Sequence, residues 1–187
     1  ADARESLLET IASRCEHIRL YPMPVDAAKQ ALQEHFALPD EEALQLAHLT
    51  GGRIGAALRL KEDPGAIDNQ RDVLVELEDL LLQPYRRRLK YVEDLVARKQ
   101  PPREQAARII PVWLGFWRDA LILSSGSKQP LVYLQQKEIA EKAARQIPLE
   151  QIQTLLLAHE RALEQLDFYV NARLILENLL LASPRLK

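Results

Sequence analysis

Apolar residues recur at spacings of three, four and seven along most of this chain, which is the pattern of amphipathic helices. The pattern predicts short helices at 5–13, 25–38, 40–49 and 54–60. After Gly65 the helices become longer and richer in leucine, and they are predicted at 69–82, 85–98, 103–123 (with Pro111 inside) and 138–146. One long helix is predicted to follow Pro148, with an apolar stripe formed by Ile152, Leu156, Leu163, Leu166, Val170 and Leu174. The predicted fold class is therefore mainly α.

One segment departs from the helical pattern. Residues 16–21 alternate polar and apolar side chains, with Ile18 and Leu20 on one side, and this alternation predicts a strand. A single strand cannot satisfy its own backbone hydrogen-bonding groups. Since the chain also begins without methionine, we expect that it continues upstream of Ala1 into a further domain.

The ends of the short helices carry local signals. Asp40 is predicted to cap the helix that follows Pro39, because its carboxylate can accept from free N–H groups of the first turn. Thr50-Gly51-Gly52 is predicted to end that helix, because glycine tolerates a left-handed backbone. No lysine follows these glycines as it does in a Walker A phosphate loop, so we interpret Gly55 as a close approach between helices.

Composition narrows the classes of function. Of the 187 residues, 47% are hydrophobic, so a sizeable core is expected, and the net charge of −2 argues against binding DNA by bulk charge. The single cysteine, Cys15, excludes an internal disulfide and favours a cytoplasmic location. Apolar runs are too short for a membrane span, so no membrane association is predicted.

Candidate catalytic and metal-binding residues are sparse. Cys15 lies two residues from His17, but a buried structural thiol is the better interpretation because no third residue orients the histidine. The histidines are scattered, so no zinc site is predicted. A free-standing enzyme is accordingly the least favoured hypothesis.

Two clusters invite a nucleic-acid hypothesis. Arg86-Arg87-Arg88 with Lys90 could contact a DNA backbone, although a solvated helix face is favoured. Trp113, Trp117 and Tyr133 could stack bases, but packing in the bundle or at a subunit contact is favoured.

Four segments resemble one family in the expected order. Residues 7–15, LLETIASRC, resemble the LLPTIxSRC signature of bacterial clamp-loader subunits of the AAA+ class, with Glu9 in place of proline. Residues 50–58, TGGRIGAAL, are similar to the SGGSPGRAL stretch of the family's lid domain. Trp117-Arg118-Asp119 resembles a WxRD feature of the collar domain, with one residue fewer between Trp and Arg, and residues 171–180 are similar to the tail of delta-prime-type subunits.

The resemblance implies a domain organisation and a set of partners. Residues 1–22 would end an AAA+ α/β domain, 23–64 would form a three-helix lid, and 65–187 would form the helical collar that joins loader subunits. The implied partners are the gamma/tau and delta subunits and, through the full assembly, the sliding clamp and primer-template DNA. This chain would bind no cofactor, while ATP and magnesium would be bound by neighbouring subunits of the DNA polymerase III holoenzyme.

The same resemblance implies roles for particular residues. Arg14 would act as an arginine finger on ATP bound by a neighbour. The position of the sensor arginine in ATP-hydrolysing subunits is taken here by Gly55, and Arg53 is two positions out of register. A non-hydrolysing, delta-prime-type subunit is therefore favoured, and a gamma/tau-type subunit is the alternative. The implied interaction residues are Trp113, Trp117, Arg118, Asn171 and Arg173.

Overall fold

The computed structural model describes residue 14, residues 21–168 and residues 170–187. Within that part the chain is mainly helical, with nine α-helices, one short 3-10 helix and no strand. The predicted helix at 5–13 and nearly all of the predicted strand at 16–21, hence the proposed AAA+ remnant, lie outside the described residues. Tyr21, the last residue of that predicted strand, has no regular secondary structure.

Three short helices come first: α1 (Val25–Phe36), α2 (Asp40–Leu49) and α3 (Ile54–Glu62). We call them the three-helix unit. Their apolar faces meet in a small core of alanine and leucine, formed by Ala28, Leu32, Leu38, Ala43, Leu46, Ala47 and Ala57. Ala28 and Leu32 lie four residues apart on α1, and Leu46 and Ala47 lie three and four residues after Ala43 on α2, which is the spacing of an amphipathic helix.

The prediction that Asp40 caps α2 is wrong. Asp40 is the first residue of α2, Pro39 precedes it, and no side chain caps this end. The Asp40 carboxylate instead accepts from Lys29 Nζ at 2.7 Å and from Gln33 Nε2 at 3.1 Å. The hydrogen bond from Lys29 holds the pKa of the Asp40 carboxyl below its ordinary value. Asp40 therefore links α2 to α1.

The helix stop after α2 is confirmed, but the close approach lies at a different glycine. Gly51 and Gly52 have φ values of 56° and 80°, which favour glycine. A Cβ on Gly52 would lie 1.8 Å from Met23 O, while Met23 N donates to Gly52 O at 3.1 Å. A Cβ on Gly55 would meet nothing within 4 Å. The missing side chain of Gly52 therefore leaves room for the backbone of Met23, and not for a neighbouring helix.

The remaining helices form one larger core, which we call the bundle. They are α4 (Pro64–Leu82), α5 (Tyr85–Val96), α6 (Pro102–Ser125), the 3-10 helix (Leu134–Gln136), α7 (Lys137–Gln146), α8 (Leu149–Asp167) and α9 (Ala172–Ala182). The long α6, with Pro111 inside it as predicted, packs against α4, α7, α8 and α9. Helix α9 also packs against α5 and α8.

The prediction of one long helix after Pro148 is wrong. Helix α8 ends at Asp167, and α9 begins at Ala172 after Asn171, whose Oδ1 accepts from Arg173 N at 3.0 Å. This break changes which side of the chain faces the core. Ile152 and Leu166 of the predicted stripe are buried, whereas Val170 and Leu174 are 43% and 53% exposed.

Candidate functional site

Arg14, the proposed arginine finger, is an exposed residue in a turn. Exposure is what a residue that reaches into another subunit requires. Cys15 and His17 lie outside the described residues, as does the rest of the signature around Arg14. Its role as a finger therefore stays a prediction.

Trp113 and Trp117 lie inside the bundle on α6, with exposed fractions of 1% and 0%. Each ring faces His159 of α8, with ring centroids 6.3 and 6.4 Å apart respectively. Tyr133 is also buried, and its ring lies where a Cβ on Gly115 would come within 2.7 Å of Cε2. These three rings pack in the bundle, one of the two locations favoured from the sequence. They offer no side-chain surface for stacking bases or contacting another subunit.

His159 is a buried histidine that the sequence analysis did not single out. Its Nδ1 donates to Leu155 O at 2.7 Å, and it is 0% exposed. Its Nε2 and the Nε1 atoms of Trp113 and Trp117 have no hydrogen-bond partner in the described part of the chain. Burial lowers the pKa of His159 to about 4, so the ring is neutral at neutral pH. Its position seven residues after Ile152, on the buried side of α8, is the sequence signal that would have found it.

Arg118 and Asp119 organise the loop after α6. Asp119 is 1% exposed, and its carboxylate accepts from Val132 N at 2.9 Å and Tyr133 N at 2.8 Å. Arg118 Nη1 donates to the same carboxylate at 3.2 Å, and the Arg118 side chain remains partly exposed. Burial raises the pKa of the Asp119 carboxyl, and the hydrogen bonds from the two backbone N–H groups act against that rise. The pair thus fixes residues 132 and 133.

His48 connects this loop to the three-helix unit. It lies in the last turn of α2, and its Nδ1 approaches Leu131 O at 2.5 Å. A carbonyl oxygen only accepts hydrogen bonds, so Nδ1 carries the proton. A cleft of about 480 Å³ lies beside this contact and is lined by both units, including Gln45, Gln70 and Leu134.

Asn171 and Arg173 are exposed at the start of α9. Arg173 Nε donates to Glu177 Oε1 at 2.7 Å. Large apolar side chains near them are also exposed: Phe168 is 82%, Val170 43%, Leu174 53% and Leu181 42% exposed. We call Phe168, Val170, Leu174 and Leu181 the C-terminal surface. It lies beside two of the residues that the resemblance implies for interaction.

The basic cluster at 86–90 is divided by the fold. Arg86, Arg87 and Lys90 are exposed, and Lys90 pairs with Glu93 and Asp94 at 3.2 and 3.0 Å. The prediction of a solvated face is wrong for Arg88, which is 0% exposed. Its guanidinium donates to six backbone carbonyls, those of Leu80, Leu81, Gln83, Leu180, Ser183 and Pro184.

Arg88 therefore binds the ends of two helices at once. The carbonyls of Leu80 and Leu81 are at the C-terminal end of α4, and Leu180 and Ser183 are at the end of α9. Both ends carry unsatisfied carbonyls and partial negative charge, which a cation stabilises. Arg88 shares the buried face of α5 with Val92 and Leu95, at spacings of four and seven, and this spacing is the signal that would have identified it.

The described residues contain neither a metal-binding cluster nor a membrane-spanning helix. No group of three or more His, Cys, Asp and Glu side chains there is arranged to hold a metal ion. None of the helices described is both long and apolar enough to cross a membrane. Comparison of the chain with models of protein families, with curated proteins and with solved structures found no match.

Proposed function

We propose that this chain is part of a delta-prime-type clamp-loader subunit of a bacterial DNA polymerase III, acting in the cytoplasm. In this role it hydrolyses no ATP, assembles with gamma/tau and delta subunits through the bundle, and supplies Arg14 to a neighbour's ATP. The order of the four resembling segments supports the family. The C-terminal surface is the structural observation that carries the assembly role.

The C-terminal surface has the chemistry of a protein interface. Leu174 and Leu181 are seven residues apart and so share one side of α9, while the opposite side is buried in the bundle. Asn171 and Arg173 precede Leu174 by three residues and by one residue in the sequence. Exposed apolar residues bordered by polar ones are typical of surfaces that bind other proteins.

The proposed chemistry at Arg14 is electrostatic. When the γ-phosphoryl group of ATP is transferred to water, negative charge spreads over its oxygens in the transition state. A guanidinium placed beside those oxygens stabilises that charge, and magnesium bound with the nucleotide does the same. In the proposed assembly, the exposed Arg14 meets this need in an ATP site formed by a neighbouring subunit.

The assembly role is tested by measuring association with purified gamma/tau and delta subunits. The double variant Leu174→Asp/Leu181→Asp places two carboxylates in the proposed interface. We expect association at least about a hundredfold weaker, because burying either carboxylate costs several kcal/mol. The matched control is Leu157→Asp, which is 50% exposed on α8 and outside the C-terminal surface.

Two results would contradict the proposal. In one, the parent chain is folded by circular dichroism but shows no association with either subunit. In the other, the double variant binds as tightly as the Leu157→Asp control.

One observation favours the second candidate, a gamma/tau-type subunit that hydrolyses ATP itself. Arg53 is exposed directly before α3, where an arginine can reach a nucleotide. Its guanidinium also donates to Thr50 O at 3.4 Å. A Walker A loop with its lysine in the sequence upstream of Ala1 would decide for this candidate.

A further inference from the structure

The two helical units have separate cores and meet along a seam. Among the described residues, Leu49 of α2 packs against the bundle core and Ile67 of α4 packs against the core of the three-helix unit. Both are only partly buried. The apolar contact at the seam is therefore slight compared with either core.

Open space adjoins the seam at several points. Besides the cleft of about 480 Å³, two others of about 650 and 420 Å³ are lined by residues of both units, with Arg118 and Val132 contributing to both of these two. Close packing is what makes protein interiors rigid. These clefts leave the seam less densely packed than the core of either unit.

A continuous polar path crosses the seam between the clefts. Asp119 holds the backbone N–H groups of Val132 and Tyr133, and the preceding residue, Leu131, presents its carbonyl to His48. The path begins and ends in a helix, because Asp119 is buried in α6 and His48 is part of α2. A buried carboxylate that accepts two backbone N–H groups leaves the loop little freedom to move.

We propose that Asp119, residues 131–133 and His48 form a strut that sets the angle between the three-helix unit and the bundle. His48 and Asp119 are positioning residues in this proposal. The strut replaces the dense apolar packing that the seam lacks. Without it, the three-helix unit turns about its connection to α4 at Asp63.

The strut lies close to the segment that leads to Arg14. Tyr21, Met23 and Gly51 line the same cleft as His48 and Arg118, and Met23 is hydrogen-bonded to Gly52. A change in angle at the seam would therefore displace this segment. The consequence for Arg14 rests on the proposed function, whereas the strut itself does not.

The strut is tested by electron–electron distance measurements on the folded chain. Spin labels are attached at Glu34→Cys on α1 and Glu160→Cys on α8, both exposed, in a Cys15→Ser background. We expect one narrow distance distribution for the parent and a distribution broadened about twofold for His48→Phe, which keeps a ring but lacks the N–H. His48→Asn should restore the narrow distribution, because its amide nitrogen takes the place of Nδ1.

His35→Phe, at an exposed position near the end of α1, is the matched control and should leave the width unchanged. Asp119→Ala should broaden the distribution as well, because it removes both oxygens that accept from the N–H groups of Val132 and Tyr133. If that buried variant does not fold, His48→Phe alone decides. Equal widths for His48→Phe and the parent, with equal circular dichroism, would overturn the strut.

A second experiment separates the strut from the proposed function. In an assembled loader containing the full-length subunit, His48→Phe should lower DNA-stimulated ATP hydrolysis about tenfold, because a small displacement of a charge-stabilising group is costly. Broadened distances with unchanged hydrolysis would overturn the consequence for Arg14. Failure of the parent subunit to assemble would contradict the proposed function, and the distance measurement would still decide the strut.

Discussion

The three-helix unit and the bundle are stabilised in different ways. The core of the three-helix unit contains only alanine and leucine. All six buried polar side chains of the described residues are in the bundle: Arg88, Gln105, Asp119, Gln136, His159 and Ser183. The difference indicates that the small unit depends on apolar contact and backbone turns, whereas the bundle also depends on specific buried hydrogen bonds.

Three of these buried polar side chains hydrogen-bond backbone groups at helix ends and in a loop. Arg88 satisfies the carbonyls at the ends of α4 and α9, and Asp119 satisfies backbone N–H groups of the loop after α6. Gln105 Nε2 donates to Leu95 O at 3.0 Å and Gln100 O at 2.8 Å, where α5 ends. Helix ends and loops that come inside a larger core need such partners, because unpaired backbone groups are costly when buried.

Arg88→Ala should give the largest effect. It removes six hydrogen bonds and leaves helix-end carbonyls buried, so we expect a loss of more than about 4 kcal/mol in the free energy of unfolding. The matched control, Arg87→Ala on the exposed side of α5, should change it by less than about 0.5 kcal/mol. Urea unfolding measures both. Similar free energies of unfolding for the two variants would contradict the conclusion that the bundle depends on buried hydrogen bonds.

His159 should make the bundle sensitive to acid. Burial lowers its pKa to about 4 in the folded chain, against an ordinary value of 6.5. Between these two pKa values the unfolded chain binds a proton at His159 more readily than the folded chain does. The free energy of unfolding is therefore not reduced by His159 above about pH 6.5, and it falls as the pH is lowered toward 4. The loss amounts to about 3 kcal/mol.

The check is urea unfolding of the parent and of His159→Phe at several pH values from 7 to 4. The other titrating groups, including Asp119 with its raised pKa, are common to both proteins and cancel in the difference. The parent should lose more stability than the variant over this interval. Parallel curves would show that His159 does not titrate as its burial requires.

The glycines of the three-helix unit should give the smallest effects, and of opposite sign. Gly52→Ala places a Cβ against Met23 O at a positive φ, which should cost about 2 kcal/mol. Gly55→Ala adds a Cβ to a helix where nothing lies within 4 Å, which should stabilise by about 0.5 kcal/mol. Thermal unfolding of the two variants distinguishes them. A stabilising Gly52→Ala would contradict the close approach of Met23.

The sequence pattern predicted most of the apolar helices, because their spacing follows directly from helical geometry, but α4 begins at Pro64, five residues before its predicted start. The helices of the three-helix unit begin where the pattern placed them, and α1 ends two residues before its predicted end. The break between α8 and α9 was missed, because leucines continue on both sides of it and only Asn171 marks the new start. The spacing of apolar residues does not indicate where one helix ends and the next begins in a new direction.

The buried polar residues were the harder part. Arg88 is part of a run of basic residues, and such a run predicts a solvent-exposed side chain. Its spacing from Val92 and Leu95 nevertheless matches the buried face of α5. The contact of His48 with Leu131 joins residues 83 positions apart, and no local pattern can indicate it. Asp119 was noticed only within a family motif, and its hydrogen bonds to the loop depend on tertiary structure.

The central claim, that this chain belongs to a loader subunit and contributes Arg14 to a neighbour, is tested most directly by ATP hydrolysis in a reconstituted complex. The full-length subunit carrying Arg14→Ala is compared with the parent and with Arg53→Ala, at equal amounts of assembled complex. We expect DNA-stimulated hydrolysis to fall at least about tenfold for Arg14→Ala, because the transition state loses a stabilising charge, and to be unchanged for Arg53→Ala. Unchanged hydrolysis for Arg14→Ala in a complete complex would contradict the account.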